Sequence, residues 1–207
     1  DDIVRVRSAR LVDYQNEAYA ARYESLVHYV RQAEQTKTPG LSGFATAVAR
    51  TLYQLMAYKD EYEVARLHTD PSSRQLLRST FEGNFKLRYH LAPPSLRSNK
   101  KREFGAWMEP VFRILARLKF LRGTAFDVFG YAKERREERS TIVEFENVVR
   151  AVADNLSVQH YAAAIHIAEL FGKIKGYGHV KEANRDKVRK EQALLIQQFE
   201  ASRQAAA

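Results

Sequence analysis

The chain has 207 residues, 45% of them hydrophobic, with no cysteine and a net charge of +9 from 34 Lys and Arg against 25 Asp and Glu. That composition suits one core-forming domain, and it excludes disulfides, thiolate zinc sites, thiol nucleophiles and any iron–sulfur cluster held by the chain's own cysteines. No apolar run reaches membrane-spanning length, no basic-then-apolar leader opens the sequence, and the missing cysteines fit a cytoplasmic setting.

Residues 9–36 place Val12, Tyr19, Tyr23, Leu26, Val30 and Ala33 at helical spacing, which predicts one long helix ended by Thr38-Pro39-Gly40. Ser42 is the expected cap of a second helix running to about residue 67, with Leu41, Phe44, Val48, Leu52, Leu55, Tyr58, Tyr62 and Ala65 on its apolar stripe. Asp70-Pro71 reads as N-cap and first helical residue of a third, ending near Gly83. Residues 84–107 read as irregular because Pro93-Pro94 forbids helix, although 84–91 alternates like a short strand. Pro110 opens another helix, and 123–130 is a loop. Residues 131–155 make the next helix, Ser157 is the expected cap of one ending near Gly172, and a last, mostly polar helix follows Gly178. The sum is an all-α protein: a single helical domain, residues 1–207, of about six to seven helices with one irregular central excursion. The start at Asp1 and the Ala-Ala-Ala end lead us to expect a C-terminal piece of a larger multidomain enzyme.

Two stretches are site-like. In KGYGHVK, the set Lys175, Gly176, Gly178, His179 and Lys181 forms a candidate anion site. Free N–H groups at a helix start attract anions, and cations in that first turn oppose the helix dipole unless an anion offsets them. The spacing matches neither a P-loop nor a dinucleotide fingerprint, and a plain interhelical turn with positive-φ glycines ranks ahead of a site. The second stretch holds Tyr58, Lys59, Asp60, Tyr62 and Glu63, where tyrosines and charges crowd one turn. Helical ion pairs such as Lys59–Glu63 are its plain reading. A buried structural network is the sharper one, since the apolar stripe passes through both tyrosines.

The positive charge favours polyanionic partners, but acids are interleaved with bases, as in KERREERS at 133–140, so most of it reads as solvated helix surface. The six histidines show no metal-ligand spacing, no HExxH or GxSxG is present, and no catalytic residue is assigned. The aromatic residues do not cluster as stacking platforms for nucleic acid.

Six segments in series, VDYQNEAYAARY (12–23), LMAYKDEYEVARL (55–67), RYHLAPP (88–94), KREFGAWM (101–108), LKFLRGTAFDVFGY (118–131) and GYGHVKEAN (176–184), resemble the C-terminal domain of the fused indolepyruvate ferredoxin oxidoreductases. That family oxidatively decarboxylates aryl 2-oxo acids to acyl-coenzyme A, using thiamine diphosphate and iron–sulfur clusters and passing electrons to ferredoxin. The resemblance therefore implies part of a cytoplasmic oxidoreductase, with those cofactors in the full enzyme and none in this chain. The thiamine and cluster motifs have no match here, so the chain alone is expected to be inactive and to serve as a structural interface. Its expected partners are the other domains of the enzyme, ferredoxin, and further copies in a homo-oligomer. Two alternatives remain: a docking surface for a coenzyme A phosphate or for ferredoxin, and, ranked last, an independent basic module that binds nucleic acid.

Overall fold

The structure is a computed structural model that describes residues 2–81, 83, 86–91, 102–174 and 178–205. Among them stand nine α-helices and two short strands, so the chain is mostly helical, with more helices than the six or seven expected. It divides into two compact units, Asp1–Tyr58 with Glu137–Ala207, and Lys59–Arg136.

The first unit contains α1 (Asp2–Tyr14), α2 (Glu17–Lys37), α3 (Phe44–Met56), α8 (Tyr161–Phe171), α9 (Gly178–Ala205) and all but the first turn of α7 (Lys133–Asp154). Its core is built from Leu11, Tyr23, Leu26, Phe44, Leu52, Phe145, Ile167 and Phe171 with their neighbours. The rings of Phe145 and Phe171 meet edge to face at 4.9 Å. Polar ties add direction. The Arg22 guanidinium of α2 donates to both carboxylate oxygens of Glu146 on α7, at 2.6 and 2.9 Å. Arg185 and Arg189 of α9 donate to Glu137 and Glu144 at 2.7 and 2.9 Å.

The second unit contains α4 (Glu61–Thr69), α5 (Pro71–Thr80), β1 (Tyr89–Leu91), β2 (Arg102–Phe104), α6 (Met108–Arg117) and a 3₁₀ turn at Leu118–Leu121. β1 and β2 pair antiparallel, with Tyr89 opposite Phe104; β1 lies within the 84–91 stretch that alternates like a strand, and β2 lies in the part expected to be irregular. Helix α4 packs on α6, and Ala65, Tyr89 and Phe112 form a small core.

Several boundaries differ from expectation. The long helix over 9–36 is two helices, because Asn16 is extended and its side chain accepts the Tyr19 N–H at 2.9 Å, capping a new start. The helix over 42–67 is likewise two. Asp60 is extended, its carboxylate accepts the Glu63 N–H at 2.8 Å, and α4 begins there. Ser42 is not the cap of α3. Gly43 holds that position at φ 145°, which favours glycine, and a Cβ there would crowd Ile165 Cδ1 at 3.3 Å. Nor does Ser157 cap α8; His160 is its N-cap, and Ser157 Oγ lies 2.9 Å from His160 Nδ1. Asp70 and Pro71 open α5 as expected, but it ends at Thr80.

Candidate functional site

The candidate anion site falls largely beyond what the structure describes. Lys175 and Gly176 lie outside the described residues. Gly178, His179 and Lys181 belong to the first turn of α9, with side chains outside them as well.

The second predicted stretch divides by role. Tyr58 closes the first part of unit 1, where its carbonyl accepts the Tyr14 hydroxyl at 2.9 Å. The Tyr19 hydroxyl likewise donates to the Met56 carbonyl at 3.1 Å, so two tyrosines satisfy carbonyls left open at the end of α3. Asp60, in unit 2, caps α4 and receives two hydrogen bonds from the Arg122 guanidinium, at 2.5 and 2.8 Å. Both side chains are almost fully buried, at 4% and 3% exposure. Tyr62 donates to Asp127 at 3.2 Å, and its ring lies under the Arg122 guanidinium at 5.5 Å. Burial, then the Asp127 carboxylate, pushes the Tyr62 phenol well above its ordinary range. Asp127 also accepts the N–H groups of Gly123 and Gly130, at 2.8 and 3.0 Å. Glu63 takes two bonds from Arg66, at 2.8 and 2.7 Å, so its cation is not the Lys59 suggested by the spacing. Asp60, Glu63 and Asp127 are each occupied by a fixed partner. The arrangement ties the 122–130 loop to the start of α4 and presents no free acid–base pair.

Lys59 is the exception, and it leads to a feature that sequence reasoning missed. Lys59 makes no hydrogen bond or ion pair among the described residues. It stands at an open cavity of about 470 Å³ within unit 2. Helix α4 lines it with Val64, Leu67 and His68, and α5 with Ser73, Leu76 and Leu77. Each set is spaced i, i+3, i+4, one face of a helix. Leu87, Arg88 and Tyr89 complete the wall. The His68 ring stacks on Phe112 at 5.1 Å and meets Tyr89 edge-on at 5.1 Å. Burial, then the Lys59 charge, lowers the His68 pKa, so the imidazole is neutral at pH 7. Arg88 is held by Glu103 of the facing strand. Among the described residues the groove therefore joins apolar walls to one cation, Lys59, that has no ion-pair partner.

Unit 1 has a buried cluster of its own. Glu34, 6% exposed, accepts the Phe44 and Ala45 N–H groups at 2.7 and 3.3 Å and the Tyr161 hydroxyl at 2.5 Å. This carboxylate does for α3 what a capping side chain does locally, so the positive end of α3 is already neutralised. Burial, then the bond to Glu34, pushes the Tyr161 phenol up to about 12. Among the described residues no group of His, Asp and Glu is arranged to hold a metal ion, and no helix is long and apolar enough to cross a membrane.

Comparison with known proteins finds one family profile, described as a family of unknown function (DUF6537), that matches residues 1–194. No curated protein and no solved structure matches the chain.

Proposed function

The chain belongs to the DUF6537 family of unknown function, and from that premise we propose that it is an interface domain of a larger 2-oxo acid ferredoxin oxidoreductase of the indolepyruvate type, docking through residues 59–136. The resemblance over six segments supports the enzyme class, and the surface of unit 2 supports the docking role. Sixteen large apolar side chains are exposed among the described residues, and ten of them lie in this unit, which holds 78 of the 207 residues. Leu67 and Leu76 line the groove. The others include Trp107, Val111 and Ile114, a stripe along α6 at i, i+4, i+7 whose opposite side carries buried Phe112. Phe126 and Val128, 76% and 72% exposed, flank the buried Asp127. An isolated soluble surface disfavours such grouping, whereas an interface uses it.

The loop that carries Phe126 is ordered by its own bonds. Thr124 Oγ1 accepts the Phe126 N–H at 3.2 Å, the Tyr131 hydroxyl donates to the Ala125 carbonyl at 2.8 Å, and Asp127 is fixed as described above. A preordered apolar tip loses little entropy on docking.

Charge distribution favours a second use of the same face. Residues 59–136 hold 17 Lys and Arg and nine Asp and Glu, so +8 of the net +9 falls there. A basic unit with exposed apolar side chains suits an acidic protein such as ferredoxin. The test is hydrogen exchange on the natural polypeptide and on the isolated 207-residue chain. The domain reading expects amides of α6 and of 122–131 to slow in the natural polypeptide without ferredoxin. Slowing only when ferredoxin is added, and its loss at high salt, would select the second use. Equal exchange in all three samples would defeat both.

A further inference from the structure

We propose that the groove between α4 and α5 is a binding site for a small monoanionic amphiphile, a carboxylate on an apolar chain or ring, with Lys59 as its counter-ion. This does not depend on the docking role and concerns a surface distinct from α6 and the 122–131 loop.

Helix α5 needs a partner for its apolar face. It has ten residues, too few for a helix to be stable in water by propensity alone. None of its described residues is buried, and Leu76 is 66% exposed. Its apolar side chains nevertheless fall on one face at positions 76 and 77, beside Ser73, and that face lines the groove. Across from it, Val64 and Leu67 present the matching face of α4. An apolar body between the two helices would cover both leucine faces at once; among the described residues Leu67 and Leu76 stay exposed. The volume, about 470 Å³, falls within the range typical of small-molecule sites.

The polar groups fix the charge of the ligand. Arg88 is already matched by Glu103, and His68 is held between two aromatic rings. Among the described residues of the lining, Lys59 alone brings a charge with no partner. One cation beside an apolar slot selects one anionic head, and a carboxylate accepts the ammonium donors directly. A cationic amphiphile would meet like charge, and an uncharged one would gain no ion pair with the exposed ammonium.

The experiment is a titration of the ¹⁵N-labelled chain, followed by amide shifts, with decanoate and 3-phenylpropanoate as probes. Decanol and decyltrimethylammonium serve as uncharged and cationic controls. Saturable shifts confined to α4, α5 and β1 are expected with the carboxylates. Lys59→Met should weaken carboxylate binding about tenfold, the loss of one charge-assisted contact. Leu76→Asp should abolish it, and both positions are exposed, so folding is retained. The proposal fails if the carboxylates cause no saturable shift, if decanol or the cation binds as tightly as decanoate, if Lys59→Met binds unchanged, or if the shifts lie away from these elements.

Discussion

Arg122 reaches back 62 residues along the chain to grip both carboxylate oxygens of Asp60, the residue that starts α4. A pair this deeply buried contributes little as a pair, but breaking it strands a charge. Arg122→Met should therefore destabilise residues 59–136 by about 3–5 kcal/mol. Asp60→Asn in the same chain should recover part of that loss, because the stranded charge is gone. Denaturant-dependent hydrogen exchange of α4 amides would measure both. Strictly additive costs would mean that the two groups do not act as a pair. Arg122→Lys should not substitute, since an ammonium cannot make the two-pronged contact.

Glu34 and Tyr161 give the other unit a comparable weak point. Glu34→Ala leaves the Ala45 N–H and the Tyr161 hydroxyl without their acceptor and the Phe44 N–H with only the Tyr161 oxygen, at 3.2 Å, at a cost of about 2–4 kcal/mol. Tyr161 also makes an alkaline prediction. Its folded pKa of about 12 lies above the ordinary tyrosine value, so its contribution is complete below about pH 10 and is lost as the pH rises toward 12. Tyr161→Phe should remove this part of the alkaline decline, as seen in unfolding midpoints across that window. An unchanged decline would assign it to other groups.

His68 works in the opposite direction. Burial, then Lys59, favours its neutral form in the folded state. Its contribution is complete above the unperturbed value of about 6.5 and is lost as pH falls through the lowered folded value. Acidification should therefore loosen the groove, and His68→Gln should flatten that part of the profile. In an NMR titration the His68 ring should protonate at lower pH than a free histidine. Lys59→Met should raise its pKa part of the way back. A normal pKa for His68 would overturn the prediction.

Ile114 and Phe126 test the interface reading by contrast. Both are exposed, so Ile114→Asp and Phe126→Ser should change the stability of the isolated chain by no more than about 0.5 kcal/mol. In the natural polypeptide the same substitutions should disrupt assembly, visible as a change in sedimentation. A change confined to the isolated chain would show that these side chains serve the fold.

Local chemistry in the sequence reveals much of this architecture. The apolar spacing at Val48 and Leu52, and at Ile142, Phe145 and Val149, marks faces that are buried. Asp70-Pro71 marks a helix start because the cap and the ring act within two residues. The break at Asp60 is harder to see. The stripe through Leu55, Tyr58 and Tyr62 continues across it at helical spacing, while the residue that holds Asp60 in place lies far along the chain. The true cap of α3 is hidden for the same reason: Glu34 sits mid-pattern in α2, and a nearby serine is the local alternative. The groove is similarly cryptic. The faces 64/67/68 and 73/76/77 can be read from spacing, but the exposure of Leu67 and Leu76 is a tertiary fact. For Lys59 the i, i+4 geometry proposes Glu63 as partner, whereas Arg66 takes that carboxylate.

Unit 2 is one uninterrupted stretch, while unit 1 is assembled from segments on either side of it. That order has a temporal meaning. A ribosome finishes residues 59–136 before it has made α8, which α3 requires as its packing partner. The inserted unit can close its short-range contacts at once. The surrounding unit can pack α3 on α1 and α2 early, but the side of α3 that meets α8 must wait until more than a hundred further residues have emerged. The chain's most aggregation-prone interval thus belongs to its better-buried half, and its exposed half is the first to be native.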